Sequence, residues 1–194
     1  DGATGALTFA TAPDFESPAD AGTDNVYDVT VQVADGNGGT ATQAIAVTVT
    51  NVNEAPVITS NGGGATASVS AAENQSAATT ITSSDVDGGT AVYSIAGGAD
   101  AALFTVNAAT GVLTFNTAPD FEAPADAGAD NVYDVTVQVA DGNGGTATQA
   151  IAVTVTNVNE APVITSSAAV SVAENQSGVV NVTSSDVDGG SPVF

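Results

Sequence analysis

Apolar and polar residues alternate strictly along two stretches of the chain. In NVYDVTVQVAD, Tyr133, Val135, Val137 and Val139 take turns with Asp134, Thr136 and Gln138, and in QAIAVTVTNV, Ile151, Val153 and Val155 do the same against Ala152, Thr154 and Thr156. A period of two puts each apolar set on one face of a strand with one buried side. Between them lies ADGNGGTA, Ala140 to Ala147, whose glycines permit positive φ, so the pair reads as a hairpin. Shorter strands are predicted near Pro56–Thr59, Thr79–Thr82, Ala91–Ile95, Leu103–Val106, Val112–Phe115 and Pro162–Thr165, with at most a helical turn around Asp100–Leu103. About seven short strands in about 100 residues predict an all-β fold of the two-sheet sandwich type.

The pattern is written more than once. Ala10–Ser60 returns as Asn116–Ser166, differing only at Ala10, Ser17 and Thr23, and DGATGALTF at Asp1–Phe9 answers NAATGVLTF at Asn107–Phe115. Further along, AENQS at Ala72–Ser76 recurs at Ala173–Ser177, and SSDVDGG at Ser83–Gly89 recurs at Ser184–Gly190. The spacing changes only in NGGGATASVS against SAAVSV, a Gly-rich place where an insertion costs little. A unit of about 100 residues is domain-sized, so the repetition predicts tandem beads. Residues 1–55 form the C-terminal part of one unit, 56–161 a complete unit, and 162–194 the N-terminal part of the next. The partial units are expected to meet equivalent segments of neighbouring units, through covalent continuation of a longer array or strands donated by an adjoining chain.

Charge then restricts the chemistry. The chain has 22 Asp and Glu and no Lys, Arg, His or Cys, for a net charge of −22. Salt bridges between side chains and disulfides are therefore excluded, and each carboxylate must meet water, a backbone donor or an ion. Such a charge argues against nucleic acid and anionic membranes as partners, and no apolar run reaches the length of a membrane-spanning helix. The acids gather where the alternation stops, in AEN at Ala72–Asn74, DVD at Asp85–Asp87, PDFE at Pro119–Glu122 and NVNE at Asn157–Glu160. Oxygen-only groups of carboxylates, amides and carbonyls suit a hard cation with six to eight ligands, calcium before zinc or copper. A solvated acidic surface is the plainer alternative, disfavoured by the concentration of acids in short repeated motifs.

Taken in order, AEN, DVD, TGVLTF, PDFE, VYDVTVQVADGNGG and VTNVNEAPV resemble a cadherin repeat. The closer likeness is to the cadherin-like tandem repeats of giant bacterial calcium-dependent surface adhesins and fibre proteins. The resemblance covers the whole chain and implies tandem seven-stranded Greek-key (Ig-like or cadherin-like) β-sandwiches with calcium, two or three ions, at each seam between repeats. It implies that Asp14, Glu16, Asn53, Glu54, Asp85, Asp87 and Asp141 serve the first seam, and Glu73, Asp120, Glu122, Asn159, Glu160, Asp186 and Asp188 the second. The chain departs from the family linker at Asn51 and Asn157, where Asp is usual, at Glu54 and Glu160, also usually Asp, and at Ala55 and Ala161, usually Asn. Without cations the acids should repel and the linker bend.

The resemblance implies an extracellular, bacterial-surface location. It also implies a structural or adhesive stalk or fibre whose partners are neighbouring repeats or identical chains, with other cells or glycans as further candidates. A carbohydrate- or cell-binding module is the alternative, poorly supplied with stacking surfaces because Trp is absent. A glycoside-acting enzyme built on paired carboxylates is a third class, but the acids are explained by ions and no nucleophile–base pair can be formed without His, Lys or Cys. DGNGG at Asp35–Gly39 and Asp141–Gly145 resembles the start of an EF-hand loop, yet its twelfth position is Ala46 or Ala152, not Glu. NQS at Asn74 and Asn175 and NVT at Asn181 fit the glycosylation sequon, which in a bacterial protein is most often a chance match. The loop carrying Asp126, Asp130 and Asp134 reads as solvated.

Overall fold

The computed structural model describes residues 2, 4–190 and 193–194. Asp1, Ala3, Ser191 and Pro192, in the outer parts of the two partial repeats, lie outside the described residues. In chain order the strands are β1 Val26–Ala34, β2 Thr40–Thr48, β3 Val57–Ile58, β4 Thr66–Ala72, β5 Ala77–Thr80, β6 Ser83–Ser84 and β7 Val92–Gly97. A 3-10 turn over Ala101–Leu103 follows, and then β8 Phe104–Val106, β9 Val112–Phe115, β10 Val132–Ala140, β11 Thr146–Thr156, β12 Val163–Ile164 and β13 Ser184–Ser185.

Both alternating stretches are strands, β10 and β11, paired antiparallel from Val132↔Thr154 to Ala140↔Thr146. They form the middle of a sheet ordered β4-β11-β10-β7, which packs on a second sheet ordered β5-β9-β8, with the short β3–β6 pair a separate two-stranded sheet. The result is a two-sheet sandwich in which β4 lies parallel to β11, so the early part of the repeat runs beside its end. β4 and the two-residue strands β6 and β13 were not predicted. NGGGATASVS is loop only over Asn61–Ala65, and Thr66–Ala72 is β4. Its small Ala and Ser residues give a weak alternation, and pairing with β11 makes it a strand.

The core forms where the alternation puts it. Tyr133, Val135, Val137, Val139, Ile151, Val153 and Val155 are buried, facing Ile81, Phe104, Leu113 and Phe115 from across the sandwich. Phe115 meets Tyr133 edge-on at 5.1–5.2 Å in both copies of this contact, counting Phe9 with Tyr27 in the leading repeat. The Tyr133 hydroxyl accepts the Ala125 N–H at 3.1 Å, which satisfies its polar end. Gln149 continues the buried register of β11 and is fully enclosed, its amide donating to the Gly64 carbonyl at 3.1 Å. At Gly111, φ is +70° and a Cβ would stand 2.1 Å from the Ile81 carbonyl oxygen, so only glycine lets β9 begin there.

In the leading repeat, β1 and β2 hold the same register as β10 and β11, from Val26↔Thr48 to Ala34↔Thr40. Their apolar faces are half-buried, with Tyr27, Val29, Val31, Ile45 and Val47 all of intermediate exposure. Leu7 is 50% exposed, whereas Leu113 at the matching position is 0% exposed. Truncating Leu113 to Ala should therefore cost about 2–5 kcal/mol, and Leu7→Ala about 0.5 kcal/mol or less. Urea unfolding of both variants checks this, and equal losses would contradict the packing described.

Candidate metal centre

The strand pairings carry the acidic motifs to the two ends of the complete sandwich, AEN and PDFE beside the linker that leaves it and DVD beside the linker that enters it. Because β11 and β4 are parallel with Thr156 opposite Ala72, the residue after β4, Glu73, emerges beside the linker that follows β11. Glu73 is 2% exposed. Its Oε1 accepts the Val158 N–H at 2.7 Å and its Oε2 the Phe121 N–H at 2.8 Å, joining AEN to both the linker and PDFE. PDFE is a tight loop in which Asp120 Oδ1 accepts the N–H groups of Glu122 and Ala123, each at 3.0 Å. Asp14 holds Glu16 and Ser17 in the same way, also at 3.0 Å. The DVD motifs follow β6 and β13. Val57 opposite Ser84 and Val163 opposite Ser185 bring them back to the linker that opened the repeat. There Asp85 Oδ1 accepts the Asp87 N–H at 3.0 Å, and Asp186 Oδ1 the Asp188 N–H at 3.1 Å.

Three sets of carboxylates converge, each with oxygens within 4.8 Å of one another: Glu16, Glu54 and Asp87 at the first seam, then Glu73, Asp120 and Glu122, and Glu122, Glu160 and Asp188, at the second. Glu122 belongs to two sets, so the two positions adjoin. Of the remaining predicted residues, Asp141 is joined to the first seam by Asn53, whose Nδ2 donates to Asp141 Oδ2 at 2.7 Å. Gly145 lets that loop press against the linker, since a Cβ there would lie 2.8 Å from Ala55 Cα and 2.9 Å from the Glu54 carbonyl oxygen. Asn159 turns its amide to the Glu160 carbonyl at 2.8 Å. Asp14, Asp85 and Asp186 stand outside the three sets and brace the loops from which the others project.

Sequence reasoning missed the amide donors. Asn51 Nδ2 donates to Asp87 Oδ1 at 2.7 Å, Asn157 Nδ2 to Glu122 Oε1 at 2.6 Å and to Asp188 Oδ1 at 2.7 Å, and Asn74 Nδ2 to Glu160 Oε1. In the loop read as solvated, Asp130 and Asp134 are exposed as expected, but Asp126 needs correction. Asp126 is buried and accepts the N–H groups of Asp130 at 3.0 Å and Asn131 at 3.1 Å, so it staples the loop from within. Asp100 does likewise for Ala127 at 2.7 Å and Asp134 at 2.8 Å. Backbone donors of this kind serve both charges, local in sequence for Asp126 and distant for Asp100.

At each seam one buried carboxylate oxygen is not so served. Among the described buried side-chain atoms without a hydrogen-bond partner, the carboxylate oxygens are Asp85 Oδ2 and Glu160 Oε2, one at each seam. A buried anionic oxygen without a donor is costly, and in a chain without cationic side chains its partner comes from solution, as water or a cation. The donor set of carboxylate, amide and carbonyl oxygens fits a hard divalent ion such as calcium.

The charges perturb one another accordingly. Partial desolvation, with the like charges of Asp87 and Asp14, raises Glu16, and desolvation with the Asp87 carboxyl raises Glu54. At the second seam, desolvation with the charge of Glu73 raises both Glu122 and Glu160. The aspartates move the other way. Backbone N–H donation from Glu54 and the Asn51 amide lower Asp87, donation from Glu160 and the Asn157 amide lower Asp188, and the Asn53 amide lowers Asp141.

Raised glutamates bind protons more readily folded than unfolded, so their contribution to ion-free stability is present below 4.5 and lost as pH rises through the raised values. Lowered aspartates contribute above 3.8 and lose that contribution as pH falls through their depressed values. In excess chelator, thermal stability should therefore rise as pH drops from neutrality into the glutamate range, then fall again in stronger acid. Glu122→Gln with Glu160→Gln should raise the neutral-pH Tm by a few degrees and flatten the rise. A chelated protein whose Tm falls steadily from neutral pH downward would contradict this charge assignment.

The profile of the bacterial Ig domain family matches residues 53–154. No curated protein matches the chain. Among solved structures, the chain is similar to the extracellular cadherin domains 1–5 of protocadherin gamma B2, with 22% identity over 73% of this chain and 28% of that one, TM-score 0.50. It is similar to the extracellular domain of protocadherin gamma B4, with 21% identity over 93% of this chain and 28% of that one, TM-score 0.53. It is also similar to EC21-23 of human CDH23, with 18% identity over 86% of this chain and 55% of that one, TM-score 0.53. The chain thus spans between 28% and 55% of the length of these structures, and at these identities the likeness establishes a cadherin-like fold. With a sandwich of this topology and a profile match over more than half its residues, the chain belongs to the bacterial Ig domain family.

Proposed function

We propose that the chain is a run of calcium-rigidified extracellular repeats that builds a structural or adhesive stalk or fibre on a bacterial surface. Residues 1–55 end one repeat, 56–161 form a complete one, and 162–194 begin the next. Neighbouring repeats or identical chains are the partners, and the repeats have no chemistry of their own. The observation that carries this reading is the pair of buried carboxylate oxygens, Asp85 Oδ2 and Glu160 Oε2, that lack a donor at the two seams. The cadherin-like sandwich and the bacterial Ig family support the extracellular, adhesive role, and no helix among the described residues is long and apolar enough to cross a membrane.

The residues divide the work between two or three positions per seam. At the second seam, Glu73, Asp120 and Glu122 address one position and Glu122, Glu160 and Asp188 a second. Asp186 and Asn159 support the linker side. At the first, Glu16, Glu54 and Asp87 form the matching set, with Asp14 behind Glu16. Asp85, Asn53 and Asp141 provide a third position. Bound calcium would supply positive charge to several of these oxygens at once. Because they come from the end of one repeat, the linker and the start of the next, neutralising them removes the repulsion that strains the seam.

Calorimetric titration of the 194-residue chain with calcium should show two or three ions per seam, and removing them should lower the Tm. Each site stabilises the fold by about 2.7 kcal/mol at a hundred times its Kd. Asp186→Asn with Asp188→Asn should weaken the sites of the second seam and spare those of the first. No calcium heat, together with an unchanged melting curve in chelator, would sink the proposal.

A further inference from the structure

The two seams share an arrangement that needs no cation. Asp188 is gripped on both oxygens by the linker in front of it, with Oδ1 accepting Asn157 Nδ2 at 2.7 Å and Oδ2 accepting the Glu160 backbone N–H at 2.6 Å. One repeat earlier, Asp87 is held in the same manner. Its Oδ1 accepts Asn51 Nδ2 and its Oδ2 the Glu54 N–H, both at 2.7 Å. Each grip crosses a seam, because the donors close one repeat and the carboxylate belongs to the next. Asn157 also reaches back to Glu122 Oε1 at 2.6 Å, so a single amide spans both repeats.

We propose that Asn51 and Asn157, with the backbone N–H groups of Glu54 and Glu160, form an ion-independent clasp on Asp87 and Asp188 that keeps consecutive repeats docked when no cation is bound. Hydrogen bonds to an ionised acceptor are roughly twice as strong as neutral ones, and here two converge on each carboxylate. The clasp and a cation are compatible, since an ionised carboxylate offers about four lone-pair sites and the clasp uses two. A carboxylate in place of either asparagine removes a donor and adds a like charge beside Asp87 or Asp188. The amide is therefore the specific requirement, and it sets how far the linker opens as ions leave. The inference rests on the calcium reading only in that Asp87 and Asp188 serve both clasp and ion.

Amide hydrogen exchange by NMR on the full chain in excess chelator tests it. The Glu54 and Glu160 amides should be protected by about tenfold or more over unstructured rates. Asn157→Ala should abolish protection at Glu160 and leave Glu54 alone, while Asn51→Ala should do the reverse. Asn157→Asp should lose the same protection and show a larger gain on adding calcium than the wild type. The core amides of Val137 and Val153 report folding and should stay protected throughout. Free exchange at Glu54 and Glu160 in the chelated wild type, or protection unmoved by either alanine variant, overturns the clasp. Calcium heats in the wild type separate the two ideas: heats with free exchange in chelator sink the clasp alone, and protection without heats sinks the calcium reading alone.

Discussion

Twenty-two carboxylates share this chain with no cationic side chain, and the structure is organised around where each negative charge finds a positive partner. Inside the complete repeat the partners are backbone N–H groups. Asp100 and Asp126 bury themselves in loops that point N–H groups at them, and Glu73 does the same for the loop and linker on either side of it. At the seams some carboxylate oxygens lack such donors, as Asp85 Oδ2 and Glu160 Oε2 do. Glutamates from different segments crowd to within 4.8 Å of aspartates, and what backbone and amide donors leave unmet is available to an ion.

The sandwich makes that crowding possible. Alternation in β10 and β11 builds a dry face of valines, and the parallel pairing of β4 with β11 sends Glu73 out at the same end as the linker. The short pairs β3–β6 and β12–β13 bring DVD back against the linker from the other side. A one-residue slip of β4 against β11 would turn Glu73 away from Val158 and empty one of the acidic sets, because side chains alternate faces along a strand. Packing in the core and charge at the seam are therefore set by the same register.

Much of this was legible in the residues. The strict alternation of Tyr133 to Val139 and Ile151 to Val155 named the central hairpin and its buried face, and the repeated acidic motifs contain the carboxylates that the fold gathers, while Asp14, Asp85, Asp141 and Asp186 of the same motifs stand outside the gathered sets. β4 was hidden because Ala67, Ser68, Val69, Ser70 and Ala71 barely distinguish an inner from an outer face; its partner strand, distant in sequence, decides it. Asp126 looked solvated because its N–H partners are local backbone groups with no sequence signature. The amides of Asn51, Asn74 and Asn157 were missed for a related reason. An asparagine is donor or ligand according to which of its two ends faces the carboxylates, and only the folded seam shows that.

The central claim is that the seam oxygens are gathered to bind a hard cation. Anomalous diffraction from crystals grown in calcium tests it most directly. The account predicts peaks between Glu73, Asp120 and Glu122 and between Glu122, Glu160 and Asp188, at about 2.3–2.6 Å from the carboxylate oxygens. Carboxylates turned apart into solvent, with no peak between them at saturating calcium, would contradict it.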